Sequence, residues 1–157
     1  MISRNQRATS FIELTIGIAV IVPVLLVLLD FAIILIGVEA NDDNCRRAAR
    51  AAAAGSPEAA QLRAETIIAS NSHGHSMLAA SQLTSPVAVR VVSRPEPEQD
   101  LATGKEIFTG GPVIGSTTVT TQIEVKPVLV HMFYGGKTPL VFKSTHAFPI
   151  SYVMPAR

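Results

Sequence analysis

The sequence predicts an α+β chain. A long amino-terminal transmembrane helix extends out of the membrane, a second short helix follows, and a small antiparallel β-sheet packs on the extramembrane helix. Three observations carry this expectation: an apolar run over residues 14–38, a proline-free Ala- and Arg-rich stretch after it, and a switch to period-two alternation beyond Pro86. On these grounds a few basic residues lead into a long helix that ends at residue 54, and residues 55–157 form an α+β domain on the far side of the membrane.

The apolar run has 25 residues, and at about 1.5 Å per residue it extends about 37 Å, enough to cross a ~30 Å hydrocarbon core with some tilt. Eighteen of its positions are Leu, Ile, Val or Phe, each favourable by roughly 0.3 to 0.6 kcal/mol at the helix centre, against a cost of roughly 3 kcal/mol for Asp30. Insertion wins. Pro23 removes one backbone donor and is expected to bend the helix locally, which transmembrane helices tolerate. A secretory signal peptide has a shorter apolar core of ~7 to 15 residues and a prompt A-x-A site, so this segment is expected to remain as an anchor. Arg4 and Arg7 precede the span while Glu39, Asp42 and Asp43 follow it, which keeps the amino terminus cytoplasmic even though Arg46, Arg47 and Arg50 lie close beyond.

Past the span, VEANDDNCRRAARAAAAG is rich in strong helix formers, so the helix is expected to continue to Ala54 and stop at Gly55. Ser56 as N-cap, Pro57 at the first position and Glu58 beside the helix dipole mark a second helix over 57–69, with Leu62, Thr66 and Ala69 as its buried side and Ala59 and Ile67 adjoining. SNSHGHS, residues 70–76, reads as a loop. Val87, Val89 and Val91 then alternate with Ala88, Arg90 and Val92 as a strand, and RPEPEQDLATGKE interrupts as an acidic loop. In STTVTTQIEV, Val119, Thr121, Ile123 and Val125 face one way and Thr118, Thr120, Gln122 and Glu124 the other, with Lys126 and Pro127 ending the strand. TPLVFKSTHAF sets Leu140, Phe142, Ser144 and His146 against Val141, Lys143, Thr145 and Ala147, and SYVM adds a short terminal strand. Three or four strands result. PVLVHMFYGG between them is either strand continuation and turn or a patch that meets lipid headgroups or another subunit.

Composition excludes several function classes. A net charge of +1 without an aromatic-interleaved basic patch argues against nucleic acid as a partner. The single Cys45 closes no internal disulfide and has no companion at metal-ligand spacing, so a free packed thiol is expected. His73 and His75 form an H-x-H pair in a serine-rich loop without a close carboxylate, and are read as solvated. No nucleophile elbow, P-loop or dinucleotide fingerprint occurs, so neither an enzyme nor a cofactor is expected.

The amino terminus, RATSFIELTIGIAV, sets a short basic leader, a small residue, and a glutamate five positions later at the mouth of an apolar helix. This resembles type IV pilins and pseudopilins. The resemblance implies that a prepilin peptidase cuts between Ala8 and Thr9, with Ala8 where that family usually has glycine, so that residues 1–8 are a short basic leader, 9–54 the transmembrane and extended helix, and Glu13 the fifth residue of the mature chain. FIEL, Pro23, LLDFA at Asp30 and Phe31, NCRRAARAAAAGSP at 44–57 and the tail YGGKTPLVFKSTHAF are similar, more specifically, to TadE-like pilus-assembly proteins of tight-adherence (Flp) systems. Leu14 stands where phenylalanine is usual, and Pro23 lies farther from Glu13. The similarity covers about the first sixty residues well and the tail loosely. It implies a minor pilin-like subunit of a bacterial inner membrane, single-pass with a periplasmic carboxy-terminal domain. Its partners would be sister subunits, an assembly platform, a prepilin peptidase and the lipid bilayer.

In that setting Glu13 pairs with a cationic amine of its own or a neighbouring chain and favours one axial register, the bland reading being a headgroup carboxylate. Asp30 either snorkels to water or meets a partner on another subunit. The competing class is a membrane-tethered domain whose sheet recognises an envelope ligand and whose helix is an anchor alone.

Overall fold

In the computed structural model of the chain, the described residues are 4–71, 79–99, 106–127 and 139–156, and the side chains of 4–10 and of Gln99 fall outside that description. The HGH loop and residues 128–136 of the apolar run before the last strands also lie outside it.

A single helix, α1 (Arg4–Ala53), runs for 50 residues without interruption through Pro23. It spans about 75 Å at the standard rise, so it is far longer than the domain beside it needs. Its inner half carries the fold. Cys45, Ala48, Ala49 and Ala52 recur at i, i+3, i+4 and i+7 and are 0–1% exposed, forming one buried stripe. Against them pack Ala60, Ala64 and Ile68 of α2 (Ala60–Asn71) and Val119 of the central strand, with Ile67, Leu83, Val87, Val89 and Phe148 around the edge.

The face of α2 differs from the expected one: Leu62 is 66% exposed and Thr66 and Ala69 are exposed, while Ala60, Ala64 and Ile68 are buried. The reason is steric. Alanines on α1 let the two helices approach closely, and a close approach selects alanine on α2 over leucine. A 3-10 turn, Pro57–Ala59, leads into α2, and Ser56 occupies the cap position without a side-chain cap bond. Its carbonyl serves instead, accepting from Ala59 N at 3.2 Å and from the Arg63 guanidinium at 2.8 Å.

Arg63 also closes the end of α1. Its Nε donates to Ala51 O at 2.9 Å and its terminal nitrogen to Ala52 O at 2.8 Å, placing a cation on carbonyls left over at the helix C-terminus. Ser151 N supplies a further donor to Ala53 O at 3.0 Å. Gly55 fits under this guanidinium, since a Cβ there would lie 2.8 Å from the nearest nitrogen of Arg63.

The sheet is antiparallel and built on one long strand. Along one edge of β5 (Gly111–Val125) run β1 (Gln82–Leu83) and β2 (Ala88–Ser93); along the other run β6 (Leu140–Pro149) and β7 (Tyr152–Met154). Ser116↔Pro149 and Val113↔Tyr152 share one register, bridged by Ile150 N to Gly115 O at 3.0 Å, so β6 and β7 behave as one strand with a break. Five paired strands thus replace the expected three or four. The acidic loop holds a further two-residue ladder, β3 (Glu98–Gln99) with β4 (Glu106–Ile107). Val113, Thr117, Val119, Thr121, Ile123 and Val125 are buried toward the helices, while Thr118, Thr120, Gln122 and Glu124 are half-exposed on the open face, as the alternation predicts. Gly115 is required where β2 bulges between Val91 and Ser93, because a Cβ there would overlap the Arg90 carbonyl and crowd Ile150.

Candidate functional site

The surface that this fold leaves unexplained is the outer half of α1. Seventeen large apolar side chains between Phe11 and Val38 are exposed, and from Phe11 to Leu29 the helix is bare nearly all round. Among the described residues one helix, from Phe11, is long and apolar enough by length and composition to cross a membrane. Within it the Thr15 hydroxyl donates to Phe11 O at 2.8 Å, so this polar group needs no water.

The four residues singled out by sequence fall at three places. Ala8 and Thr9 lie in the first turns of α1. Glu13 is exposed at the mouth of the bare segment. Asp30 is 1% exposed although its neighbours Leu29 and Phe31 are 54% and 51% exposed. Seventeen positions separate Glu13 from Asp30, about 26 Å along the axis and about 100° around it, so the two carboxylates form no common site.

Asp30 instead begins the stripe that continues through Gly37, Asn41, Cys45, Ala48 and Ala52, all buried. Asp30 is engaged in an interaction and does not reach solvent. The domain therefore covers one side of α1 from Asp30 onward, and the fully bare length, 11–29, is about 28 Å. That matches a ~30 Å hydrocarbon core more closely than the expected span of 14–38 does.

Above this segment a polar clasp ties helix to sheet. Asp42 Oδ1 accepts from Ser144 Oγ at 2.6 Å and lies 3.0 Å from His146 Nε2. The Ser144 hydroxyl bond and the contact with His146 hold the Asp42 carboxyl below its ordinary value of 3.8, with the Arg46 charge adding to the effect against a small opposing cost of burial. Aspartate, histidine and serine meet here, but both side chains converge on the carboxylate and the serine does not address the histidine. The arrangement fastens β6 to α1; it has no nucleophile–base bond. Cys45 lies beneath, buried, its Sγ 3.3 Å from both Val119 O and Ser144 O. Among the described residues no group of three His, Cys, Asp or Glu side chains converges as a metal site.

Two features escaped the sequence. One is this clasp, whose signal was Ser144 and His146 on the same strand face as Leu140 and Phe142, polar groups that need a partner if that face is covered. The other is an open cleft of about 640 Å³ at the far end of α1, lined by Ser56, Glu58, Phe108, Tyr152, Met154 and Pro155. No protein-family model matches the chain, and comparisons with curated proteins and with solved structures find no match.

Proposed function

We propose that the chain is a single-span subunit of a pilin-like assembly, of the TadE-like kind, whose bare helix serves both as membrane anchor and as packing surface for sister helices. The observation that carries this reading is the division of α1 into a half that scaffolds the domain and a half that the domain leaves uncovered. Seventeen exposed large apolar side chains at roughly 1.5 to 3 kcal/mol each come to tens of kcal/mol in water, beyond the ~5 to 15 kcal/mol that stabilises a folded domain. Lipid or other helices around the segment would remove this exposure. A helix that moves between these two surroundings is what insertion followed by fibre assembly requires.

On this reading the amino terminus is cytoplasmic, the domain is periplasmic, and Glu13 meets a cationic amine of its own or a neighbouring processed chain. Asp30, 1% exposed on the side of α1 that bears the buried stripe, is left out of the contact between subunits. Glu13→Gln is expected to impair fibre assembly and leave membrane retention unchanged; wild-type assembly by this variant would contradict the role given to Glu13. Co-expression with a prepilin peptidase is expected to shorten the chain by eight residues at the Ala8–Thr9 bond, read by intact mass. The cleft beside Phe108 and Tyr152 favours the second reading, a tethered domain that binds an envelope ligand, in which case Glu13→Gln changes nothing.

A further inference from the structure

The sheet has two outer edges, and the fold closes one of them. At the start of β2 the Val87 N–H, turned away from β5, donates to Gln61 Oε1 of α2 at 3.2 Å, and the bulge between Val91 and Ser93 interrupts the edge farther along. Little of that edge can pair. β6 differs: its ten residues keep one unbroken register with β5, and its single proline stands at the last position.

Which backbone groups of β6 are free follows from β5. Glu124 O accepts from Ala79 N and Thr120 O from Thr84 N, both at 3.0 Å, so even-numbered residues of this stretch address the β1 side and odd-numbered ones address β6. The register then commits Leu140, Phe142, Ser144, His146 and Phe148 to β5. Val141, Lys143, Thr145 and Ala147 turn their N–H and C=O groups outward, where they have no backbone partner among the described residues. These positions extend over about 20 Å.

Cations border this edge. Arg46 is one turn beyond Asp42, whose carboxylate is taken up by Ser144 and His146, and Arg50 lies over the Phe148 ring at 5.4 Å. Lys143 is exposed on the open face of the sheet. Among the described residues none of the three forms an ion pair, whereas Asp43 is matched by Arg47. Glu124 lies one strand inward, opposite Val141.

We propose that the free edge of β6 receives an extended, acidic segment of another polypeptide as an added strand. The N–H and C=O groups of Val141, Lys143, Thr145 and Ala147 hold its backbone, and Arg46, Arg50 and Lys143 select its charge. Phe142 and Phe148, both half-buried on the inner face, offer apolar surface to its remaining side chains. A second copy of this chain is a poorer occupant: its β2 edge is closed by Gln61, and pairing β6 with β6 brings two sets of the same cations together. The edge is also reachable from water. Asp42, which fastens β6 to α1, stands thirteen residues beyond Leu29, about 20 Å past the bare segment. The proposal therefore holds for an assembling subunit and for a tethered domain alike.

The test adds a capped nine-residue peptide alternating glutamate with valine to the full chain in neutral detergent micelles, with the same peptide carrying lysine for glutamate as control. Read by amide hydrogen exchange, the N–H groups of Val141, Lys143, Thr145 and Ala147 are expected to exchange rapidly in the free chain and about ten-fold more slowly with the glutamate peptide, those of Phe142, Ser144 and His146 being protected throughout. Thr145→Pro removes an outward N–H and no backbone bond to β5, and should weaken binding about ten-fold, the loss of one or two net hydrogen bonds. Unchanged binding by that variant overturns the proposal. Where it folds poorly, Arg46→Glu with Arg50→Glu decides: this chain should lose the glutamate peptide and take the lysine one. Protection of the outward amides before any peptide is added also overturns the proposal, the edge then being covered by a second copy if protection falls on dilution and by the chain's own residues if it does not. Equal binding of the two peptides by the wild-type chain, or binding of neither, overturns it as well.

Discussion

The Ser144 hydroxyl lies 2.6 Å from Asp42 Oδ1, joining the inner face of β6 to α1 across 102 positions of sequence. Asp42 is the one carboxylate whose ionisation this contact holds low, so its share of stability has a defined pH window. The charged form is favoured in the folded chain. The contribution is therefore complete above the ordinary value of 3.8 and is lost as pH falls through the lower folded value. Wild-type stability minus that of Asp42→Asn, measured by thermal melting in micelles, is expected to be constant above about pH 5 and to shrink below pH 4. A difference that grows on acidification would contradict the clasp.

Arg63 is expected to be irreplaceable by lysine. Its guanidinium serves Ala51 O, Ala52 O and Ser56 O together, a forked geometry that an ammonium cannot reproduce. Arg63→Ala should destabilise by about 1 to 3 kcal/mol, with Arg63→Lys recovering less than half, as read from denaturant midpoints. Full recovery by lysine would mean that charge alone closes the helix.

The orientation of α2 gives a paired test. Ala64 is 0% exposed against the α1 alanines, so Ala64→Leu should overpack the interface and cost about 1 to 3 kcal/mol. Leu62, 66% exposed, should tolerate alanine within about 0.5 kcal/mol. The reverse order would restore the face that leucine periodicity suggests.

That contrast marks what the sequence could and could not express. The long helix, its continuation past the apolar run and the inner and outer faces of β5 and β6 were legible because each is a local period. The face of α2 was not, because hydrophobicity ranks Leu62 above Ala64 while the close approach of two alanine-rich helices reverses that ranking. Strand β1 is two residues long and exists only by pairing Gln82 with Gln122 and Leu83 with Thr121, too short for any alternation to register. Asp30 looked like a charge within a lipid-facing run; that it turns inward depends on the domain reaching down one side of α1. The Asp42 clasp joins residues about a hundred positions apart, and Ser144 and His146 on an otherwise apolar face were its sole trace.

The central claim is that the bare half of α1 is a specific packing surface as well as an anchor, and replacing residues 11–29 by an unrelated apolar helix of equal length tests it most directly. The account predicts that the chimera stays in the membrane with its domain folded and forms no fibres when produced with the assembly machinery, as scored by electron microscopy. Fibres at the wild-type level from that chimera would contradict it.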